Sequence, residues 1–388
     1  MFIILCLLHF VSVYRPRTIE YNQFANLSAI IVTQLVESMN DLSEIIKREA
    51  LQEGFDIVGI ANASPFAETE ERLLAHIQQG LISGLVWFTP ERASFSCDPA
   101  NLLPQVRSII SLGMSYLSED TTPEPEAGNP RAKVARYAWG QDYHTVLRQK
   151  MERLFGRVQE QSGAKEARFL VDTARIVDRA VGQRAGLGFY GKNTNLINKK
   201  LGSYFFLCEI LTDLELEPDA PGLGTCGKCT RCLDVCPTQA FIAPWQLDNN
   251  RCISYLTIEH RGSIPEELRP QMGQWVFGCD LCQEVCPYNR KITPTNHPEF
   301  SPPAPGEGQP SLLAWLHLTE TEDSFRTRFR GTPLLRTKRA GLRRNIAVAL
   351  GNSADPATIP NLEAALASET DPVAREHLSW AITQLKQT

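Results

Sequence analysis

The 388-residue sequence lacks the glycine signatures of nucleotide-binding proteins and has no apolar run long enough for an ordinary membrane span. No GxGxxG follows the first predicted strand, and no GxxxxGK[ST] occurs, so a nucleotide cofactor is not indicated. The longest apolar stretch, residues 1–14, also lacks the positive segment and small-residue cleavage site of a secretory signal peptide. These absences exclude the commonest nucleotide-dependent enzymes and give no support for export.

The N-terminal segment has two interpretations. Arg15 and Arg17 follow the apolar stretch, where a membrane anchor with a cytoplasmic body would carry them. Alternatively, translation starts at Met39, because an amphipathic helix begins just after it. We favour the start at Met39, treat residues 1–38 as an extension, and expect a cytoplasmic protein without stable membrane association.

Composition and charge indicate an ordinary globular protein. Apolar residues make up 43% of the chain and charged residues 21%, so disorder is not expected. The length allows two or three domains. A net charge of −5 argues against general affinity for nucleic acid but permits a local basic face.

Cysteine is plentiful, with 11 residues, and eight of them form a pattern. The pattern consists of Cys226-x-x-Cys229-x-x-Cys232-x-x-x-Cys236-Pro237, a single Cys252, and Cys279-x-x-Cys282-x-x-x-Cys286-Pro287. Such runs are typical of bacterial ferredoxins, in which the cysteine before proline ligates the other of two [4Fe–4S] clusters. By analogy, the two ligand sets are Cys226, Cys229, Cys232 and Cys286, and Cys236, Cys252, Cys279 and Cys282.

Zinc and disulfides are the alternatives for these cysteines. Zinc sites use paired C-x2-C units and need neither the third cysteine nor the following proline. Disulfide frameworks are expected in small secreted chains. The other cysteines, Cys6, Cys97 and Cys208, are interpreted as unpaired thiols in a reducing compartment.

Strand patterns alternate with helix patterns over the N-terminal half, which predicts an α/β or α+β domain at residues 39–220. Its cofactor is expected at loops that follow strand ends. Residues 221–293 form a ferredoxin-like domain and residues 294–310 a proline-rich linker. In residues 311–388, Arg344 and Arg375 each precede an Ala-rich apolar helix, which predicts a HEAT-like pair or a plain helical hairpin.

One polar stretch of the first domain is a candidate for chemistry. Asp172 ends a buried strand, where it could donate a proton if burial raises its pKa. Alternatively, Asp172 or Thr173 caps the next helix, and on the residues alone the cap is favoured. Lys192, Asn193 and Asn195 lie in a glycine-punctuated loop that suits a polar cofactor rim, or is an ordinary turn.

The motifs together resemble the epoxyqueuosine reductase family, from about Asp41 to the C-terminus. The resemblance is carried by VDTARIVDRA, GLGFYGKNTNLI, CGKCTRCLDVCPTQA, RCISYLT and GCDLCQEVCP. It implies reduction of epoxyqueuosine to queuosine in the wobble position of tRNA. It also implies a cobalamin between the first domain and the cluster domain, two [4Fe–4S] clusters, and an external low-potential electron donor. The protein would act as a monomer.

The resemblance also implies residue roles. Asp172 would be the proton donor, and the implied cobalamin contacts are Arg92, Asp172, Leu196, Leu207 and Ser254. Residues 324–345 carry eight basic residues and no acidic one, a pattern that suits phosphate contacts along a tRNA stem or a solvated face. The candidate tRNA contacts are Arg336, Lys338, Arg339, Arg343 and Arg344.

Two other functions compete with the reductase. A reductive dehalogenase would share the cobalamin domain and two clusters, but it would be expected to carry a twin-arginine signal and no basic helical tail. A ferredoxin-like electron-transfer subunit would not need the large first domain. The sequence therefore favours the tRNA-modifying enzyme.

Overall fold

The computed structural model describes residues 42–120, 128–172 and 175–387. The predictions about residues 1–38, the start at Met39, Cys6 and Thr173 lie outside these ranges. The strands are β1 Ile57–Asn62, β2 Ser108–Ser115, β3 Lys133–Val134, β4 Ala167–Val171, β5 Phe189–Tyr190, β6 Leu196–Ile197, β7 Phe205–Thr212, β8 Phe241–Ala243, β9 Gln246–Leu247 and β10 Trp275–Phe277.

Most helices before residue 310 are short, and after it the helices follow one another closely along the chain. They are α1 (42–52), α2 Ala67–Gln78, α3 Pro90–Ser96, α4 Tyr143–Ser162, α5 Asp178–Arg184, α6 Arg231–Asp234, α7 Ile253–Ile258, α8 Leu281–Glu284, α9 Leu312–Leu318, α10 Glu322–Phe329, α11 Lys338–Gly351, α12 Ile359–Ser368 and α13 Pro372–Lys386. None of the described helices combines the length and apolar character needed to cross a membrane.

The first domain is built on a four-stranded sheet in the order β1-β2-β7-β4. All three strand pairings are antiparallel, so the domain is α+β and not a parallel α/β sheet. The predicted mixture of helices and strands in this domain is confirmed. Strand direction was not readable from the sequence, because a helix between two strands allows either direction, depending on the end at which the chain re-enters the sheet.

The centre of this sheet is buried on both faces. Phe206, Cys208 and Ile210 of β7 pack in one apolar core with Leu147 of α4. Alternate residues of β7, including Leu207, pack on the opposite face in a second core with residues of α5. Each fully buried large apolar side chain contributes about 1.5–3 kcal/mol. The two cores hold the carboxyl end of β4 and the loop after α5 in fixed positions.

The C-terminal helices pack on the cysteine-rich segment. Residues 342–351 of α11 are buried, and a shared core joins this helix to Phe277 of β10 and to α13. The predicted linker, residues 294–310, is also packed, since Phe300 is 1% exposed within a core of the first domain. The helical pair is present, whereas its HEAT-like character stays a prediction.

Candidate active site

A cavity of about 750 Å³ lies where the sheet domain, the cysteine-rich segment and residues 331–336 meet. This volume is in the upper part of the range for ligand pockets, roughly 300–1,000 Å³. Its walls include Asp172 from the end of β4, Leu207 from β7, Ser254 from α7 and Arg336. The cavity therefore brings together residues that are far apart in sequence.

Asp172 stands at one wall with three polar neighbours. Its φ of +41° lies in the left-handed region, which residues other than glycine rarely adopt. Tyr143 Oη donates to Asp172 Oδ2 at 2.6 Å. His144 Nε2 and a guanidinium nitrogen of Arg336 lie 3.6 and 3.5 Å from the same oxygen. The N-cap of α5 is Val177, and no side chain of the described residues makes a capping hydrogen bond there, so the interpretation of Asp172 as a helix cap was wrong.

These neighbours set the ionisation of Asp172. Burial raises the pKa of this carboxyl, but hydrogen bonds from His144 and Tyr143 and the charge of Arg336 outweigh burial and lower it. The net pKa of Asp172 is therefore below its ordinary value, so burial alone does not make this carboxyl a proton donor. Burial lowers the pKa of His144, whereas Asp142 and Asp172 raise it to about 9 overall. At neutral pH the imidazolium thus holds a proton beside the Asp172 carboxylate.

The eight cysteines of the pattern form two groups in space. Burial, followed by the charges of Cys226, Cys286 and Cys229, raises the pKa of Cys232 to about 11. We call Cys226, Cys229, Cys232 and Cys286 the outer cysteine set.

The thiols of the second group also interact with one another. The pKa of Cys279 is raised by burial and then by the charges of Cys252 and Cys236. The pKa of Cys282 is raised well above its ordinary value by burial, Cys279 and Cys252. We call Cys236, Cys252, Cys279 and Cys282 the inner cysteine set. The assignment of the two sets as ligands of two clusters stays a prediction.

None of the described cysteines forms a disulfide bond. All ten cysteines in the described part of the chain are free thiols. In the same residues, no three His, Cys, Asp or Glu side chains are close enough to hold one metal ion. The thiols are nevertheless close enough to raise one another's pKa.

Only the inner cysteine set reaches the cavity. All four of its members line the wall, and no member of the outer set does. Cys252 immediately precedes α7, and Glu259 immediately follows that helix.

The glycine-punctuated loop, residues 191–195, lies between the two cysteine sets. Asn193 and Asn195 line the cavity, and Asn193 Nδ2 donates to the Cys282 carbonyl at 3.2 Å. Lys192 is turned away from the cavity, and its Nζ donates to the carbonyls of Gly227 and Cys229. The predicted polar rim therefore consists of the two asparagines, without the lysine.

Four of the five predicted cobalamin contacts line the cavity. They are Asp172, Leu196, Leu207 and Ser254. Arg92 does not line the cavity. Its guanidinium lies over the ring of Trp87, 5.4 Å from the ring centre, and Trp87 does line the cavity.

Sequence reasoning missed Tyr143 and His144. Both open α4, about one strand and one helix before Asp172 in the chain, and no motif spacing connects them to it. Asp142 caps α4 by accepting from the backbone N–H of His144, which is a local signal for the helix start only. The cap fixes His144 at the cavity wall.

The basic segment is mostly engaged in internal contacts. Arg336 Nε contacts Glu259 at 2.6 Å, and Arg339 pairs with Glu369 at 2.8 Å. Lys338 is exposed.

The proposed tRNA contacts of Arg343 and Arg344 are contradicted by the structure. Their exposed fractions are 1% and 0%. Arg343 Nε lies 2.5 Å from a carboxylate oxygen of Glu369, and Arg344 donates to the carbonyls of Leu256, His260 and Gly262. A buried arginine saturated in this way cannot reach phosphate.

Two family models match the chain. The model described as "Epoxyqueuosine reductase QueG, DUF1730" matches residues 97–173, and "4Fe-4S double cluster binding domain" matches residues 225–289. A curated epoxyqueuosine reductase from Pseudomonas aeruginosa is 42% identical over 355 residues, which cover 89% of this chain and 95% of the relative. The Escherichia coli enzyme is 38% identical over 350 residues, covering 89% and 90%.

Solved structures give the same result. An epoxyqueuosine reductase with a tRNA-Tyr epoxyqueuosine-modified stem loop aligns with a TM-score of 0.78 and 32% identity, covering 89% of this chain and 99% of that one. The Bacillus subtilis enzyme, with an aspartate-containing catalytic loop swung out of the active site, aligns with a TM-score of 0.82 and 33% identity, covering 89% of this chain and 90% of that one. Reductive dehalogenases align only at a TM-score of 0.41, too low to support that function. The chain belongs to the epoxyqueuosine reductase family.

Proposed function

We propose that this protein reduces epoxyqueuosine to queuosine in tRNA, with the reaction in the cavity between Asp172 and the inner cysteine set. One observation carries the proposal: a proton-bearing site and four cysteine thiols line different walls of the same cavity. Conversion of an epoxide to an alkene consumes two electrons and two protons and releases water. The two walls are suited to supply electrons and protons separately.

The cysteine sets would hold two [4Fe–4S] clusters that carry the electrons. A match to a double-cluster domain over residues 225–289 supports iron–sulfur clusters in this chain. The outer set does not line the cavity, so an external low-potential donor would reduce its cluster first. The inner set would then pass each electron into the cavity.

Cobalamin is the cofactor that fits the cavity. The space is large, open, and bordered by the apolar side chains of Leu196 and Leu207 and by the amides of Asn193 and Asn195, as a corrin ring with polar substituents requires. Bound cobalamin supplies a redox-active cobalt for the reductive step at the epoxide. The contacts of Asp172 and Ser254 to that group are part of the proposal, whereas Arg92 could act only through Trp87.

Asp172 would protonate the oxygen that leaves the ring. A ligand in the cavity removes water from the half-exposed carboxyl, which raises its pKa toward the neutral form. His144, at 3.6 Å, holds the proton with which Asp172 would be reloaded. The Bacillus subtilis relative is described as having an aspartate in its catalytic loop, which supports this role.

The substrate would be a tRNA anticodon stem loop. The relative solved with a modified stem loop supports this class of partner. A flipped wobble base can enter a cavity that a paired base cannot. The protein would act as a monomer, and tRNA phosphates would be contacted by the exposed basic residues, including Lys338.

The test is Asp172→Asn, which keeps the shape of the side chain and removes its acid. We expect iron and cobalamin content to match wild type while single-turnover alkene formation on the modified stem loop falls about 10²–10⁴-fold. Wild-type turnover by this variant would contradict the proton-donor role. Separately, failure of the reconstituted wild-type protein to show cobalamin absorption bands would contradict the assignment of the cavity.

A further inference from the structure

Lys192 is a buried ammonium group without an acidic partner. The residue is 9% exposed, and its Nζ donates to the carbonyls of Gly227 at 2.8 Å and Cys229 at 3.0 Å. Within the described ranges, no carboxylate lies within 4.0 Å of this group to form an ion pair. A buried charge is costly unless an opposite charge compensates for it. The question is which negative charge does so.

The outer cysteine set provides the compensation. Both carbonyls belong to the turn between Cys226 and Cys232, and the backbone N–H of Lys192 points at Cys226 Sγ at 3.5 Å. Four thiolates around an iron–sulfur core give a net negative charge, which grows by one when the cluster is reduced. A fixed positive charge beside the cluster therefore stabilises the reduced form more than the oxidised form.

We propose that Lys192 is the counter-charge of the outer cluster and sets its reduction potential, independently of the inner cluster. The inference rests on the proposed function in one respect, namely that the outer cysteine set holds a [4Fe–4S] cluster. The electron that reduces the cluster comes from an external one-electron donor, and no proton or bond change accompanies it. Lys192 is thus a positioning and tuning residue, not a catalytic one.

The same loop reaches the inner cluster with neutral groups only. Asn193 Nδ2 donates to the Cys282 carbonyl, and Asn195 Nδ2 lies 4.0 Å from Cys282 Sγ. A neutral amide at that distance affects a cluster less than an ammonium group does. One five-residue loop therefore contacts both cysteine sets, with a charge at the outer set and amides at the inner set. This arrangement allows the two potentials to be changed separately.

The experiment is an anaerobic redox titration of the purified protein carrying both clusters, followed by EPR. We expect Lys192→Gln to keep the iron content and to lower the potential of one cluster. The ratio of reduced to oxidised cluster at a fixed potential should fall about tenfold, which is about 59 mV for one electron. Asn195→Leu should change the other cluster and leave the first at its wild-type value.

The matched control is Lys228→Met. Lys228 lies in the same turn, between Cys226 and Cys229, but is exposed, so water screens its charge. We expect a much smaller change in potential from this variant. Equal effects of the Lys192 and Lys228 variants, or full iron content with an unchanged potential in Lys192→Gln, would overturn the proposal.

If Lys192→Gln loses iron, the test is made with Lys192→Arg, because arginine keeps the positive charge. If charge is what the cluster requires, the arginine variant keeps the cluster and a potential near wild type. Loss of the outer cluster from both variants would overturn the proposal, because it would assign Lys192 a purely steric role. Absence of clusters from the wild-type protein would instead contradict the proposed function, so the two failures are distinguishable.

Discussion

Asp172 and Arg336 lie 3.5 Å apart, carboxylate oxygen to guanidinium nitrogen, although 164 positions separate them in the chain. Arg336 also contacts Glu259, which follows α7, at 2.6 Å. A residue that the sequence assigns to phosphate binding is therefore part of the wall of the cavity. Its charge is used to hold the Asp172 carboxyl in the ionised form.

Replacement of Arg336 should change the pH dependence of the reaction. Arg336→Gln removes a positive charge that lowers the pKa of Asp172, so that pKa rises. The neutral, proton-bearing form of Asp172 then persists to higher pH. The alkaline limb of the single-turnover pH–rate profile therefore moves to higher pH. Arg330→Gln is the control, since Arg330 is exposed in the same segment. An identical profile for wild type and Arg336→Gln would show that this contact does not act on the proton donor.

Replacement of Arg343 should damage stability and not tRNA affinity. Arg343→Met leaves Glu369 buried with one fewer cationic partner, and loss of one member of a buried pair costs about 3–5 kcal/mol. The control Arg326→Met breaks an exposed pair with Glu322 and should cost less than about 1 kcal/mol. Urea unfolding measures both values.

The buried pair of Arg343 and Glu369 also makes the stability of the fold depend on pH. Burial raises the pKa of Glu369, but hydrogen bonds and the charges of Arg339 and Arg343 lower it to about 2. Because the folded pKa lies below the unfolded one, this stabilisation is present above about pH 4.5 and is lost as the pH falls toward about 2. Weaker stem-loop binding by correctly folded Arg343→Met would contradict the structural role.

Lys338 is the member of the predicted tRNA-binding set that remains exposed. Lys338→Glu should weaken binding of the modified stem loop and reduce the slope of log affinity against log salt by about one. Lys165→Glu, at an exposed position of the sheet domain, makes the same charge change and should leave the slope unaltered. Equal slopes for all three proteins would mean that Lys338 is merely solvated.

Glu209 should behave as a neutral residue. It is 0% exposed in the middle of β7, and neither carboxyl oxygen has a hydrogen-bond partner among the described residues. Burial, followed by the charges of Asp178 and Asp172, raises the pKa of this group well above its ordinary value. Its contribution to stability is therefore complete below about pH 4.5 and is lost as the pH rises through the raised value.

The substitution Glu209→Gln removes this titration. Stability at acidic pH should stay within about 1 kcal/mol of wild type, since a neutral amide replaces a neutral acid, and the decline at higher pH should become shallower. Glu71→Gln, at an exposed position, should preserve the wild-type curve. Parallel stability curves for wild type and Glu209→Gln would show that Glu209 is ionised in the folded protein.

The parts of the site that could be predicted are those encoded by short-range spacing. Local turns bring Cys226, Cys229 and Cys232 together, whereas the crossover to Cys286 was assigned by analogy. The role of Asp172 came from the family resemblance, since the residues alone favoured a helix cap. Tyr143 and His144 could not be found, because only the packing of α4 against the sheet brings them to Asp172. The roles of Arg343 and Arg344 were misjudged for a related reason. A basic run does not reveal that its helix is buried, when each guanidinium finds carbonyls and a carboxylate inside the protein.

The helix α7 has a consequence for the timing of the reaction. Cys252, a proposed ligand of the inner cluster, precedes it, and Glu259, which holds Arg336 beside Asp172, follows it. Six helical residues span about 9 Å. This helix joins the proposed electron-delivering wall to the proposed proton-delivering wall, so we expect a displacement of Cys252 to be transmitted to Glu259. The oxidation state of the inner cluster and the pKa of Asp172 would then change together. Such coupling suits a reaction in which each electron is accompanied by a proton.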